Sequence, residues 1–252
     1  MRVAQGFLVA AVLVLCEASI VQAQSPETQT YVQYGEPPVM DNAIFYHLLF
    51  DQLEGRTNGP DNAFRWQGEG WAGTDMNRLW LKTEGFVEHG RMTDGDQEVL
   101  YDRPIPYLRY FDLQAGVRYD LDSDPGRTWG AIGIQGLAPY FFEFAPTFYF
   151  SNRGFIAGRI EGSYDILITN RLIAQPQFEL NFYSKSNPSR GIGSDLSELD
   201  TGLRIRYEIS RKFAPYIGVA YTGNYGQTAT FTREQGGNPE DPRFIFGLRL
   251  WY

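Results

Sequence analysis

The side chains best suited to chemistry in this sequence are soft or borderline metal donors. Its two histidines are His47 and His89, and past the first residues its methionines are Met40, Met76 and Met92. Imidazole and thioether donors suit copper. Met40 and His47 lie near each other in the chain and form the candidate metal site. Met76 falls in a tight turn and reads as a packing residue. Nucleophilic catalysis is poorly served, because two histidines leave a Ser–His hydrolase few possible bases. No catalytic residue is assigned, and the chain is read as a non-enzyme.

The elements that must carry these residues begin after residue 23. Arg2, an apolar run over 7–15 and a small residue at Ala23 predict a signal peptide over 1–23, because the run is too short to cross a bilayer. Cys16, the one cysteine, falls inside that segment, so the remaining chain holds no disulfide and no cysteine ligand. Residues 24–41, with Pro26, Pro37 and Pro38, have no apolar period and read as a short periplasmic tail.

From 42 to 252 the dominant pattern is alternation. Leu199, Thr201, Leu203, Ile205, Tyr207 and Ile209 alternate with Asp200, Gly202, Arg204, Arg206 and Glu208. A strand puts those charges on one face; a helix would scatter them. Similar alternation marks 172–183, 156–166, 111–119 and 79–87. Less regular strands are expected at 43–54, 64–73, 97–103, 128–137, 140–150 and 215–225. Phe244, Phe246, Leu248, Leu250 and Tyr252 share one face of a C-terminal strand, with Arg243 and Arg249 opposite. A wall apolar on one side and charged on the other suits a boundary between lipid and water. Pro176 is a local misfit on an outward face, which a bulge would accommodate.

The connections alternate in length. Tight turns are expected at 74–77, 104–106, 138–139, 169–170 and 210–214, and long ones at 55–62, 88–96, 121–127, 185–198 and 227–242. Twelve strands, short periplasmic turns and longer external loops make an all-β fold, a transmembrane antiparallel up-and-down barrel in the outer membrane of a Gram-negative bacterium.

Composition agrees. Aromatics are 15% of residues and the net charge is −8. Such an acidic chain is a poor nucleic-acid binder. The inward charges expected are Asp51, Arg65, Glu69, Arg78, Lys82, Glu84, Asp112, Arg118, Glu143, Arg159, Glu161, Asp165, Glu179, Arg204, Arg206, Glu208 and Arg249. They make either a packed polar plug or a lining that passes a polar solute. His47, in phase with Asp51, points inward as well.

Several segments carry a family resemblance. They include Met40-Asp41-Asn42-Ala43-Ile44, Asn77-Arg78-Leu79-Trp80-Leu81-Lys82-Thr83-Glu84-Gly85, Gln114-Ala115-Gly116-Val117-Arg118-Tyr119-Asp120, Gln135-Gly136-Leu137-Ala138-Pro139-Tyr140, Tyr164-Asp165-Ile166-Leu167-Ile168-Thr169-Asn170, Gly202-Leu203-Arg204-Ile205-Arg206-Tyr207-Glu208-Ile209 and Phe213-Ala214-Pro215-Tyr216-Ile217-Gly218-Val219. Together these resemble the copper-resistance protein B family of outer-membrane proteins over most of 40–252. The resemblance implies a barrel in contact with outer-membrane lipid. It also implies weakly or transiently bound copper ions and a periplasmic multicopper oxidase partner. A narrow general porin for small polar solutes is the alternative. One departure stands out. Family members often carry a Met- and His-rich stretch ahead of the barrel, whereas 24–39 holds neither residue, so the arm's copper capture does not carry over.

Overall fold

Alternation of outward apolar and inward polar residues runs through thirteen strands of the computed structural model, which describes residues 43–252 apart from 60, 122–125 and 152–153. The signal peptide, the tail and Met40 lie outside the described residues. The strands are β1 (Phe45–Asn58), β2 (Asp61–Gly73), β3 (Arg78–Glu88), β4 (Arg91–Pro104), β5 (Phe111–Asp120), β6 (Arg127–Ala138), β7 (Phe142–Ser151), β8 (Ile156–Ser163), β9 (Ile166–Leu167), β10 (Leu172–Tyr183), β11 (Asp195–Tyr207), β12 (Phe213–Asn224) and β13 (Glu240–Trp251). Neighbours pair antiparallel, and β13 returns to β1 from Leu49↔Trp251 to Thr57↔Phe244. Closure leaves no strand edge, which a wall in lipid requires because nothing there can satisfy open backbone groups.

β8 and β9 are two pieces of one stave. Both pair with β10, β8 as far as Ser163↔Gln177 and β9 from Ile166↔Ala174. The gap falls opposite Gln175 and Pro176. Tyr164 N–H still donates to the Pro176 carbonyl at 3.1 Å, but the proline nitrogen has no proton to give. The misfit at Pro176 is thus met by a break in the neighbouring stave and not by a bulge. The barrel has the expected twelve staves.

Two of the expected long loops are ladders. β1 and β2 stay paired to Asn58↔Asp61, and β3 and β4 to Glu88↔Arg91. A spanning strand needs about 9–11 residues, and β1 and β4 have 14 each. The wall therefore extends past the apolar band. There both faces are polar, so the two-residue period fades and Gly, Asn and Asp read as loop. His89 (φ 50°) and Gly90 (φ 74°) form the two-residue hairpin that the twist of the flanking strands favours. The expected loop at 227–242 holds a helix, α1 (Gly226–Glu234). Its Thr228 hydroxyl accepts from Gly193 N–H (2.8 Å) and bonds Ser197 Oγ (2.6 Å), fastening α1 to β11. The expected strand over 140–150 begins at Phe142, because Tyr140 and Phe141 are left-handed (φ 68° and 63°) and end the ladder.

The outer wall exposes Leu48, Leu81, Val99, Ile132, Phe148 and Phe244. The interior is apolar on one side, where Trp80, Leu100, Trp129, Ala131, Tyr149 and Ala157 pack together. A smaller apolar cluster gathers Tyr216, Ala220 and Ile245, and most other buried side chains are charged or polar. Both ends of the described chain meet at the tight-turn end, where Leu48 and Tyr252 exchange backbone hydrogen bonds.

Candidate functional site

A bulge in β1 builds the centre of the lumen. Between Phe50 and Gln52 the register with β2 slips by one residue, which turns every later side chain to the opposite face. Gln52, Glu54 and Arg56 consequently face inward and are 0%, 0% and 1% exposed. Asp51 is the extra residue, and its carboxylate accepts from Arg249 Nε at 2.7 Å.

From Glu54 a belt of alternating charge crosses the barrel. Arg204 grips Glu54 with two donors at 2.9 and 3.0 Å, and Tyr216 donates to the same carboxylate at 2.9 Å. Arg56 bridges Glu54 (2.8 Å) and Asp200 (2.5 Å). Arg65 reaches from β2 to Glu179 on β10 at 2.8 Å and to Asp200 at 3.5 Å. Arg159 holds Glu84 (2.6 Å), Asp96 (3.0 Å) and Glu179 (3.3 Å). Arg118 continues to Asp96 (3.0 Å) and Asp120 (2.8 Å). Five arginines and six carboxylates link β1 to β5 through the lumen, and each is only 0–8% exposed. Burial without a partner would be prohibitive for any of them, so each charge depends on its neighbours.

Below the belt, toward the tight-turn end, lies a cavity of about 470 Å³. Nine carboxylates line it, from Asp51, Glu69, Glu84, Asp96, Glu98, Asp102, Asp112, Glu143 and Glu161, against three cations, Lys82, Arg159 and Arg249. The Lys82 ammonium donates to Gln135 Oε1 at 2.8 Å. Arg78 holds Asp112 at 2.8 Å and Arg206 holds Asp165 at 2.6 Å. A cavity with this balance attracts cations and disfavours anions.

His47 stands at the tight-turn end of β1, its ring 6.3 Å from that of Trp71 and 5.8 Å from that of Trp251. His89 sits in its hairpin, Nε2 3.5 Å from Asp61 Oδ1. Among the described residues the group that brings three carboxylate oxygens within 4.8 Å of one another is Glu84, Glu161 and Glu179. Two of these are already held by Arg159 and Arg65, and the trio offers hard oxygen donors only. It is a junction of the belt.

Most of the inward charges expected from alternation do face the lumen. Glu208 lies past the end of β11 at Tyr207. Sequence reasoning missed Glu54, Arg56, Asp96, Glu98 and Asp120. The first two sit beyond the bulge. Asp96 sits in a segment whose glycine and aspartates resemble a loop. The partner of Arg204 is Glu54, because the bulge swings that carboxylate inward. Arg204→Ala is expected to cost about 1–3 kcal/mol, since Glu54 keeps Arg56 and Tyr216 but loses its bidentate clamp in a dry site. The urea midpoint of the refolded barrel measures this, and a shift near zero would mean the site is wet.

Residues 44–252 match the family model described as copper resistance protein B precursor (CopB). The chain is 43% identical over 214 residues to the copper resistance protein B of Escherichia coli, covering 85% of this chain and 72% of that protein. It is 38% identical over 222 residues to the copper resistance protein B homolog of Pseudomonas syringae pv. tomato, covering 88% and 75%. Among solved structures the NanC porin superposes with a TM-score of 0.50 at 12% identity, over 82% of this chain and 99% of that one. That likeness concerns the barrel fold alone.

Proposed function

Because the chain belongs to the copper resistance protein B family, we propose that it serves copper resistance or homeostasis from the outer membrane of a Gram-negative bacterium. It handles copper ions and catalyses nothing upon them. The observation that carries this reading is the acid-lined cavity under the belt, nine carboxylates against three cations. A copper ion entering from the tight-turn end is drawn into that cavity by charge. The belt above it stops free diffusion, so any passage requires the ion pairs to rearrange. The tight-turn end faces the periplasm, where a periplasmic copper protein, a multicopper oxidase by the family resemblance, would deliver or collect the ion. His47 stands at that entrance, and Met40 is the soft donor proposed with it on sequence grounds alone. A general porin is the weaker reading, because belt side chains that are 0–8% exposed leave little room for a polar solute.

Deleting the gene is expected to raise copper sensitivity. In competition with a chelator, the refolded barrel is expected to bind Cu(I) weakly and lose that binding in Met40→Ala/His47→Ala. Cu(II) binding is expected to fall in Glu69→Gln/Glu161→Gln. Unchanged copper tolerance on deletion, with no binding of either ion, would sink the copper role.

A further inference from the structure

On the lipid face of the barrel, three staves form a notch that the fold itself does not need. Its volume is about 300 Å³ and its lining is apolar, from Pro146 and Phe148 on β7, Ile156, Gly158 and Ile160 on β8, and Phe182 on β10. In register, Gly158 lies between Phe148 on one side and Phe182 on the other. Two phenyl walls therefore flank a floor with no side chain.

Three other outward glycines of this barrel are roofed. A β-carbon at Gly55 would lie 2.6 Å from the Phe246 ring, one at Gly68 2.8 Å from Phe50, and one at Gly162 2.6 Å from Phe178. At Gly158 the nearest ring atom would be 3.8 Å away, an ordinary contact. Its backbone does not need glycine, because it is not among the residues with positive φ. Glycine weakens a strand interior, and where sterics do not demand it, it marks a close approach by something else.

We infer that this notch seats an acyl chain of an outer-leaflet lipid. The notch is continuous with the exposed apolar wall, where Phe148, Phe150 and Ile156 are 58%, 48% and 47% exposed. Gly158 lies two residues from the start of β8 at the loop end, which puts it at the depth of the outer leaflet. Left empty, such a notch forfeits dispersion contacts along its whole lining. A flexible hydrocarbon chain fills it without a hydrogen-bond partner, which an apolar lining cannot offer. The inference rests on the membrane placement of the barrel and not on its copper role, so either can fail alone.

The test uses the mature protein extracted from outer membranes in mild detergent, with retained lipid counted by native mass spectrometry. The wild type is expected to keep a stoichiometric lipid. Gly158→Phe, which fills the notch, is expected to keep roughly tenfold less. Gly130→Phe adds the same ring to another outward glycine with open space, its β-carbon 3.8 Å from the Phe150 carbonyl, and is expected to match the wild type. Gly158→Leu repeats the test with a smaller side chain, and all variants are first checked for the compact barrel band on unheated gels. Equal lipid on wild type and both Gly158 variants overturns the inference, as does a wild type that carries none. A dimer lost in Gly158→Phe, with no lipid bound, would assign the notch to a second copy and also overturn it.

Discussion

Arg159→Ala is expected to destabilise the barrel by about 3–5 kcal/mol, the range for breaking a buried ion pair from one side. Arg159 is 5% exposed and reaches three carboxylates, Glu84, Asp96 and Glu179. The three do not suffer equally when it is removed. Asp96 keeps Arg118 at 3.0 Å, and Glu179 keeps Arg65 at 2.8 Å. Among the described residues Glu84 keeps only Arg65 at 4.0 Å, so most of the loss falls on that one carboxylate. This predicts a specific rescue. Arg159→Ala/Glu84→Gln should recover a large part of the loss, because the uncompensated charge goes with the substitution. Arg159→Met should not, although it restores volume. Urea unfolding in vesicles, followed by tryptophan fluorescence, separates the cases. Equal stability of Arg159→Ala and Arg159→Ala/Glu84→Gln would mean that the belt is held by packing and not by charge.

The fold was legible because a barrel wall in lipid writes itself into sequence as a two-residue period. β11 is the plainest instance, with Arg204 and Arg206 turned inward as alternation requires. The belt was only half legible. Alternation in β1 runs correctly through His47, and then one inserted residue at Phe50–Gln52 exchanges the faces. The new phase is written in Gln52, Glu54 and Arg56, polar at alternate positions around Leu53, but Asp51 beside Gln52 hides the point at which the phase changes. At β4 the failure is different. Asp94, Gly95 and Asp96 have turn-forming composition, yet the ladder passes through them because Asp96 is fixed from inside by Arg118 and Arg159. Tertiary charge pairing overrides local propensity there. The inward aromatic cluster around Trp80 and Trp129 was missed for a third reason. Apolar residues on the lumen face oppose the pattern that identifies a membrane barrel.

In planar bilayers the wild-type barrel is expected to pass no steady ion current, and Arg65→Ser/Arg159→Ser is expected to conduct. Eight-stranded barrels are filled by ordinary side chains, while sixteen-stranded porins keep an aqueous channel. A twelve-stave barrel lies between, so it closes only if large side chains meet across it. Arg65 and Arg159 both do so, Arg65 from β2 to Glu179 on β10, and Arg159 from β8 to Glu84 on β3 and Asp96 on β4. Shortening both to serine removes two of the five belt arginines and leaves six carboxylates facing the gap. Water then fills the space, and the excess negative charge selects cations. The conductance is expected to rise by at least about tenfold over the wild type, as K⁺ current in preference to Cl⁻. Single-channel recording reads inserted barrels one at a time, so the accompanying loss of stability does not disguise the result. A wild type that already conducts would replace the closed belt with an open pore. A silent double variant would move the barrier elsewhere in the lumen, to the aromatic cluster of Trp80, Trp129 and Tyr149, where truncation of Trp129 becomes the substitution expected to open it.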